Sequence, residues 1–244
     1  MTTSTATETA APPDPEREIT QLLAARDRAG ASAAVAHFSL LGTTSGIGAR
    51  DPDGRITPLV EFLPLPMRGA DLLDDIARTD ENAARLLANY RAAFPETTDQ
   101  LAAYGSDLDD LETPALGWLF LACSLVLSLD DTDAARALQI SSGVKVDTVV
   151  IEQDGQYLLD GRRLLRSLMS YRIAGVPTPL LAHSIFESLG DFVADAIRRL
   201  LRDWTTDAVV CAGDLFAGNE ILRSHTRQGL LRTRVPVLFP PREV

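Results

Sequence analysis

The chain has few of the residues that build metal centres, disulfide frameworks or membrane spans. Its 244 residues include two cysteines and three histidines. Cys123 and Cys211 each sit inside an apolar run with no CxxC or Cys/His spacing, and they are read as small buried hydrophobes. His37, His183 and His225 stand far apart in the sequence, so converging metal ligands are not expected. The longest apolar stretch, Pro114 to Leu129, is shorter than the roughly 20 residues a spanning helix needs, and it reads as a buried helix. Positive charge is also scarce. Lys and Arg number 23 against 34 Asp and Glu, a net charge of −11 that opposes binding to nucleic acid or anionic membrane. The opening MTTSTATETAAPPDPERE lacks the basic and apolar segments of an export signal, so a cytoplasmic location is expected.

What is present is an ordinary globular composition, 45% hydrophobic and 23% charged, enough for one large domain or two small lobes. Residues 1–14, rich in Thr, Ala and Pro, read as a disordered tail. The folded region then runs over 15–244, divisible into lobes of about 15–110 and 111–244. Spacing predicts a helix over 16–28, a strand over 32–41, a glycine-containing loop over 42–54 and a second strand over 55–63, together a hairpin. Residues 69–104 read as helices broken at Pro95, and 113–127 and 132–138 continue the helical pattern. Alternation over 146–153, the turn Asp154-Gly155 and a return over 156–159 predict another hairpin. Helices over 161–171 and 177–202 come next, then a buried strand 208–212, a turn, a helix 215–230 and a strand 235–239, the pattern of a parallel strand–helix–strand unit.

The most informative stretch is Val209 to Leu222, where a buried strand meets a glycine turn and runs into a helix. Backbone N–H groups at such a turn suit a phosphate, and Asn219 is placed to hydrogen-bond one; equally, any α/β unit uses a glycine such as Gly213 to turn a corner. The loop from Gly42 contains Gly-x-x-x-Gly-x-Gly but lacks the Gly-Lys-Ser/Thr of a P-loop. The acidic clusters Asp71–Asp75, Asp107–Glu112 and Asp130–Asp133 do not have the alternation of a calcium loop and read as caps and solvated loops. Arg162, Arg163, Arg166 and Arg172, then Arg198, Arg199 and Arg202, form the main basic content. The last three share a helix face that pairs with local acids or meets an acidic partner.

The segment AGDLFAGNEIL, Ala212 to Leu222, resembles the glycine-rich strand–turn–helix of the HypF carbamoyltransferases and their TsaD-like relatives, approximately SGGVFQN before a leucine-rich helix. Upstream, LAHSIFESLG from Leu181 is similar to the family's helix carrying a Phe-His pair, and TPALGWLFLACSLVL from Thr113 is similar to its GRLFDAVAALLG helix. Residues 55–71 are similar to the segment leading to LPGGD, and the loop from Gly42 to Gly54 is either a remnant of a DGTGxGxDG loop or a plain hairpin loop. The resemblance implies an α/β fold of the ASKHA class of actin, sugar kinases and heat-shock chaperones: a mixed sheet flanked by helices, with a helical middle third. It also implies an ATP cleft touching Gly117, Gly213, Asp214 and Asn219, and carbamoyl transfer in making the cyanide ligands of the nickel–iron hydrogenase centre.

Departures from the family fall where it does its chemistry. Gly117-Trp118-Leu119-Phe120-Leu121 replaces both the Arg and the Asp of the glycine-Arg-Leu-Phe-Asp motif. Asp214 stands in place of the second glycine, where a carboxylate opposes phosphate unless it caps the next helix. The histidine-rich HHHAH run has no counterpart, and the sequence ends at Pro240-Pro-Arg-Glu-Val244 before the family's final Asp-containing turn. Combined with these losses, the resemblance implies a non-catalytic accessory protein with a degenerate nucleotide cleft, no metal and no cofactor. Its partners would be hydrogenase maturation proteins or a hydrogenase subunit, with self-association as a further option. The competing expectations are an ATP-using carbamoyltransferase completed by another chain, and an ASKHA-shaped oligomeric scaffold with no hydrogenase connection.

Overall fold

The computed structural model describes residues 14–40, 44–105 and 115–242. The tail expected over 1–14, the acidic cluster Asp107–Glu112 and the first residues of the glycine loop fall wholly or largely outside these. Helix α1 (Pro15–Ala24) begins at an Asp14 cap, with proline in its first turn. Strands β1 (Ala33–His37), β2 (Gly46–Arg50) and β3 (Ile56–Phe62) come next as an antiparallel meander. The expected loop over 42–54 therefore contains a strand at 46–50. Gly46 and Gly48 belong to β2, where an added Cβ would lie 2.5 Å from the Val60 and Thr57 carbonyls of β3. These glycines serve close strand approach at a bulge rather than a phosphate loop.

The middle third is helical, as expected: α2 (Gly69–Arg78), α3 (Glu81–Ala93), α4 (Pro95–Ala103), α5 (Ala115–Leu127) and α6 (Asp131–Ala137). Helix α5 is apolar around most of its circumference, and Leu116, Trp118, Leu119, Ala122, Cys123, Val126 and Leu127 are all buried. The Trp118 indole N–H is satisfied by the Pro66 carbonyl at 2.8 Å. The hairpin β4 (Val150–Gln153) and β5 (Gln156–Leu159) turns through Asp154 and Gly155, both at positive φ. Helices α7 (Gly161–Ile173) and α8 (Thr178–Asp203) lead to β6 (Ala208–Ala212). The helix expected over 215–230 is two: α9 (Asp214–Gly218) and α10 (Glu220–Gly229), before β7 (Val237–Leu238).

Among the described residues, the seven strands join one sheet in the order β4-β5-β3-β2-β1-β6-β7. β6 pairs in parallel with both β1 and β7, and β3 pairs in parallel with β5. Strand alternation divides the core between the two faces. Ala33 and Val35 of β1, with Ala208, Val210 and Ala212 of β6, pack against Ile19 and Leu23 of α1. Ala34, Ala36, Phe38, Val209 and Cys211 face the large cluster built by the remaining helices. Arg172 of α7 closes the helical layer by donating to the Tyr90 hydroxyl at 2.9 Å and to the Val126 carbonyl, with its guanidinium 4.2 Å from the Phe94 ring centre. Arg162 and Arg166 pair with Asp160 and Asp80, each at 2.8 Å, so this part of the basic content is neutralised by acids of the same fold.

Candidate functional site

Three of the four cleft residues suggested by the sequence converge on one short segment, residues 38–40, which continues β1. Gly213 ends β6 at φ 98°, and a Cβ there would lie 2.1 Å from the Phe38 carbonyl oxygen. A glycine is required for both reasons at once. Gly117 of α5 approaches from another side, its hypothetical Cβ 2.4 Å from the Leu40 carbonyl. Asp214 opens α9, and its carboxylate accepts the Leu40 N–H at 2.9 Å and the Ser39 hydroxyl at 2.9 Å. Position 214 therefore carries a structural clamp between the β6–α9 turn and the β1 end. Asn219 stands apart from this group. Its side-chain oxygen accepts the Leu222 N–H at 2.9 Å as the cap of α10, which explains why the single expected helix breaks at this residue.

The turn's anion-seeking amide already has a partner within the chain. The Gly213 N–H donates to Glu18 Oε1 of α1 at 2.7 Å. The other Glu18 oxygen lies 3.3 Å from His37 Nε2, while His37 Nδ1 lies 2.9 Å from the Thr44 carbonyl. Burial pushes the Glu18 carboxyl upward, but hydrogen bonds from His37 and the Gly213 amide, together with the His37 charge, outweigh it and hold the group below its ordinary range. Beside this pair, on the α1 face of the sheet, lies a cavity of about 330 Å³ walled by Val35, Ile47, Ile56 and Pro58, with His37, Glu61, Asp14 and Glu16 among its polar groups. Sequence reading missed Glu18 and treated His37 as solitary. A glutamate in the first half of an amphipathic helix gives no signal that it will reach a glycine turn near the other end of the chain.

These residues do not fit the nucleotide that the family resemblance implies. The amide at Gly213 is bonded to a carboxylate, a second carboxylate occupies the position of the second glycine, and Asn219 is engaged in capping. The family's metal run is likewise not matched, since no cluster of adjacent histidines exists in this sequence.

His183 and His225, expected to stay separate because they belong to different helices, are nevertheless brought together. Packing of α8 against α10 sets their ring centres 6.1 Å apart, with Glu187 between them. Cys123 and Cys211 are fully buried and their thiols pushed far up by desolvation, in accord with their reading as hydrophobes.

A mixed sheet with helices on both faces, a glycine turn at the end of a central strand and a helix starting from it place the chain in the α/β class, consistent with the ASKHA architecture. Comparison with solved structures narrows this to a HypF-like fold. Full-length HypF in its phosphate- and nucleotide-bound form superposes with a TM-score of 0.67 at 13% identity, over 91% of this chain and 38% of that one. HypF of T. kodakarensis gives 0.59 at 16% identity, over 91% of this chain and 32% of that one. Protein HydE of Wolinella succinogenes is 25% identical over 170 residues, covering 65% of this chain and 31% of its own length. No family profile matches the chain. The chain thus spans about a third of the length of the proteins it resembles. Among the described residues, no helix is long and apolar enough to cross a membrane.

Proposed function

We propose that this chain is a non-catalytic, HypF-like accessory protein of nickel–iron hydrogenase maturation, acting by binding a maturation factor or the hydrogenase precursor. The observation that carries this reading is the Glu18 carboxylate on the Gly213 amide at 2.7 Å. In an unliganded anion site that N–H would face solvent or phosphate; here the fold supplies its own anion. Asp214 adds a second negative charge to the same turn, tied to Ser39 and Leu40. The likeness in fold to HypF supports the hydrogenase context.

The surface best suited to a partner lies at the C-terminal end of α8. Arg198, Arg199 and Arg202 face Arg232 and Arg234 across a groove beside the half-exposed Trp204. On a chain of net charge −11 this is a local concentration of cations with an aromatic anchor, chemistry that fits an acidic segment of another protein. Arg198 is partly engaged by Asp195, whereas the groove as a whole is open to solvent.

Calorimetric titration with ATP and magnesium tests the loss of nucleotide chemistry. Absence of binding is the expected result, and micromolar binding would return the chain to the carbamoyltransferases. Affinity purification from cells assembling a hydrogenase tests the partner, with co-recovery of a maturation protein or hydrogenase subunit expected. Recovery of neither would leave an ASKHA-shaped scaffold as the better description.

A further inference from the structure

We propose that His183, Glu187 and His225 form a binding site for a first-row divalent metal ion of zinc type, bridging α8 and α10. His183 and Glu187 are four residues apart on one face of α8, and His225 projects from α10, so the packing of two helices completes the set. One ligand atom from each residue lies within 4.8 Å of the other two. His183 Nε2 is 3.8 Å from Glu187 Oε2, and His225 Nε2 is 3.8 Å from Glu187 Oε1. Such separations are too long for hydrogen bonds but near the roughly 3.3 Å between neighbouring ligands of a tetrahedral zinc ion, within reach of small rotamer adjustments.

The second observation is an unpartnered buried nitrogen. The His183 side chain is 4% exposed, and its Nε2 has no hydrogen-bond partner although it is aimed at the group. Its other nitrogen, Nδ1, meets the Ala137 carbonyl of α6 at 3.0 Å. That contact requires a proton on Nδ1, which leaves a lone pair on Nε2, the tautomer a metal takes. His225 turns Nε2 toward Glu187, with Nδ1 3.6 Å from Asp191 Oδ1, an ion-pair distance rather than a hydrogen bond. Glu187 is fixed by the Gly143 N–H, and the adjoining 143–146 strip is bonded to α8 through Ser184 and Ser188. His183 and Glu187 thus each have an outer-shell partner that orients them.

Two imidazoles and one carboxylate favour zinc, cobalt or nickel over the oxygen-seeking magnesium and calcium. With three protein ligands and His225 20% exposed, a fourth position faces solvent for water or an incoming group. The proposal is independent of the partner-binding reading, because it concerns only a bound ion.

The test uses the untagged full chain, stripped with chelator and titrated with cobalt(II) as a spectroscopic probe, then with zinc(II) and nickel(II) in competition. One equivalent of cobalt with the visible bands of a four- or five-coordinate site, displaced by zinc, is the expected result. His225→Ala and Glu187→Gln weaken binding by more than about 100-fold, beyond the roughly 10- to 100-fold range of an outer-shell loss. The partly exposed His225 allows its substitution without opening the core, which circular dichroism verifies. No stoichiometric binding by the folded wild-type chain, or undiminished binding by His225→Ala, overturns the assignment.

Discussion

The Glu18 carboxylate accepts the hydrogen bond of the Gly213 amide at 2.7 Å, joining the first helix to the glycine turn of the sixth strand across 195 residues of sequence. A backbone donor that would otherwise need a ligand is satisfied internally, and the same carboxylate approaches His37 at 3.3 Å. The arrangement gives the turn a structural purpose and has measurable consequences.

Removing the carboxylate uncovers the amide. Glu18→Ala leaves the Gly213 N–H without its partner in a half-buried setting, and a loss of about 1–3 kcal/mol is expected in denaturant unfolding. Loss below about 0.5 kcal/mol would mean that solvent replaces the carboxylate freely.

The same group sets a pH dependence. Burial raises the Glu18 pKa, but its hydrogen bonds with His37 and Gly213 bring the net value down. A carboxyl whose folded pKa is depressed contributes stability above its unfolded value, and that contribution is lost as pH falls through the folded one. The stability difference between wild type and Glu18→Gln is therefore expected to shrink below about pH 4, as the carboxyl takes up its proton. A difference that grows on acidification would contradict the assignment.

Gly213→Ala combines a positive φ of 98° with a Cβ placed 2.1 Å from the Phe38 carbonyl. Backbone strain and steric overlap together predict a loss of at least about 2–3 kcal/mol, read as a lower urea midpoint. Gly30→Ala, where nothing lies within 4 Å of the added carbon, serves as the tolerated control.

Arg162→Ala removes the guanidinium that meets the buried Asp160 carboxylate through Nε at 2.8 Å. Asp160 is 2% exposed and also caps α7 by accepting the Arg162 backbone N–H. Stranding this charge is expected to cost about 3–5 kcal/mol, and an Asp160→Asn/Arg162→Ala double variant should recover part of it. Equal instability of the two variants would show that the charge is not the cause.

Charge reversal in the groove, Arg199→Glu with Arg232→Glu, is expected to leave the thermal midpoint nearly unchanged because both side chains are exposed. Recovery of a maturation partner in affinity purification should fall at least tenfold; unchanged recovery would move the docking surface elsewhere.

Much of the secondary structure was legible because its causes are local. The apolar run Ala208 to Ala212 before Gly213 specifies a buried strand and a turn, Asp154-Gly155 specifies a tight hairpin, and Leu116 to Leu127 specifies a buried helix. The resemblance to HypF rested on the segments from Thr113, Leu181 and Ala212, and the fold bears it out. Local patterns misled where a glycine or an asparagine has several uses. Gly46 and Gly48 read as loop residues but allow β2 to press against β3, and Asn219, inside a single expected helix, caps a second one.

The order of residues was enough to specify most strands, helices and turns, because periodicity and turn chemistry depend on neighbours within a few positions. Only the assembled fold set what the polar groups meet: Glu18 at Gly213, Asp214 at Leu40, and His183 beside His225. The reason is physical. A hydrogen-bond donor or a ligand lone pair carries no mark of its partner in the chain, and the partner is set by helix packing and sheet order over long sequence separations.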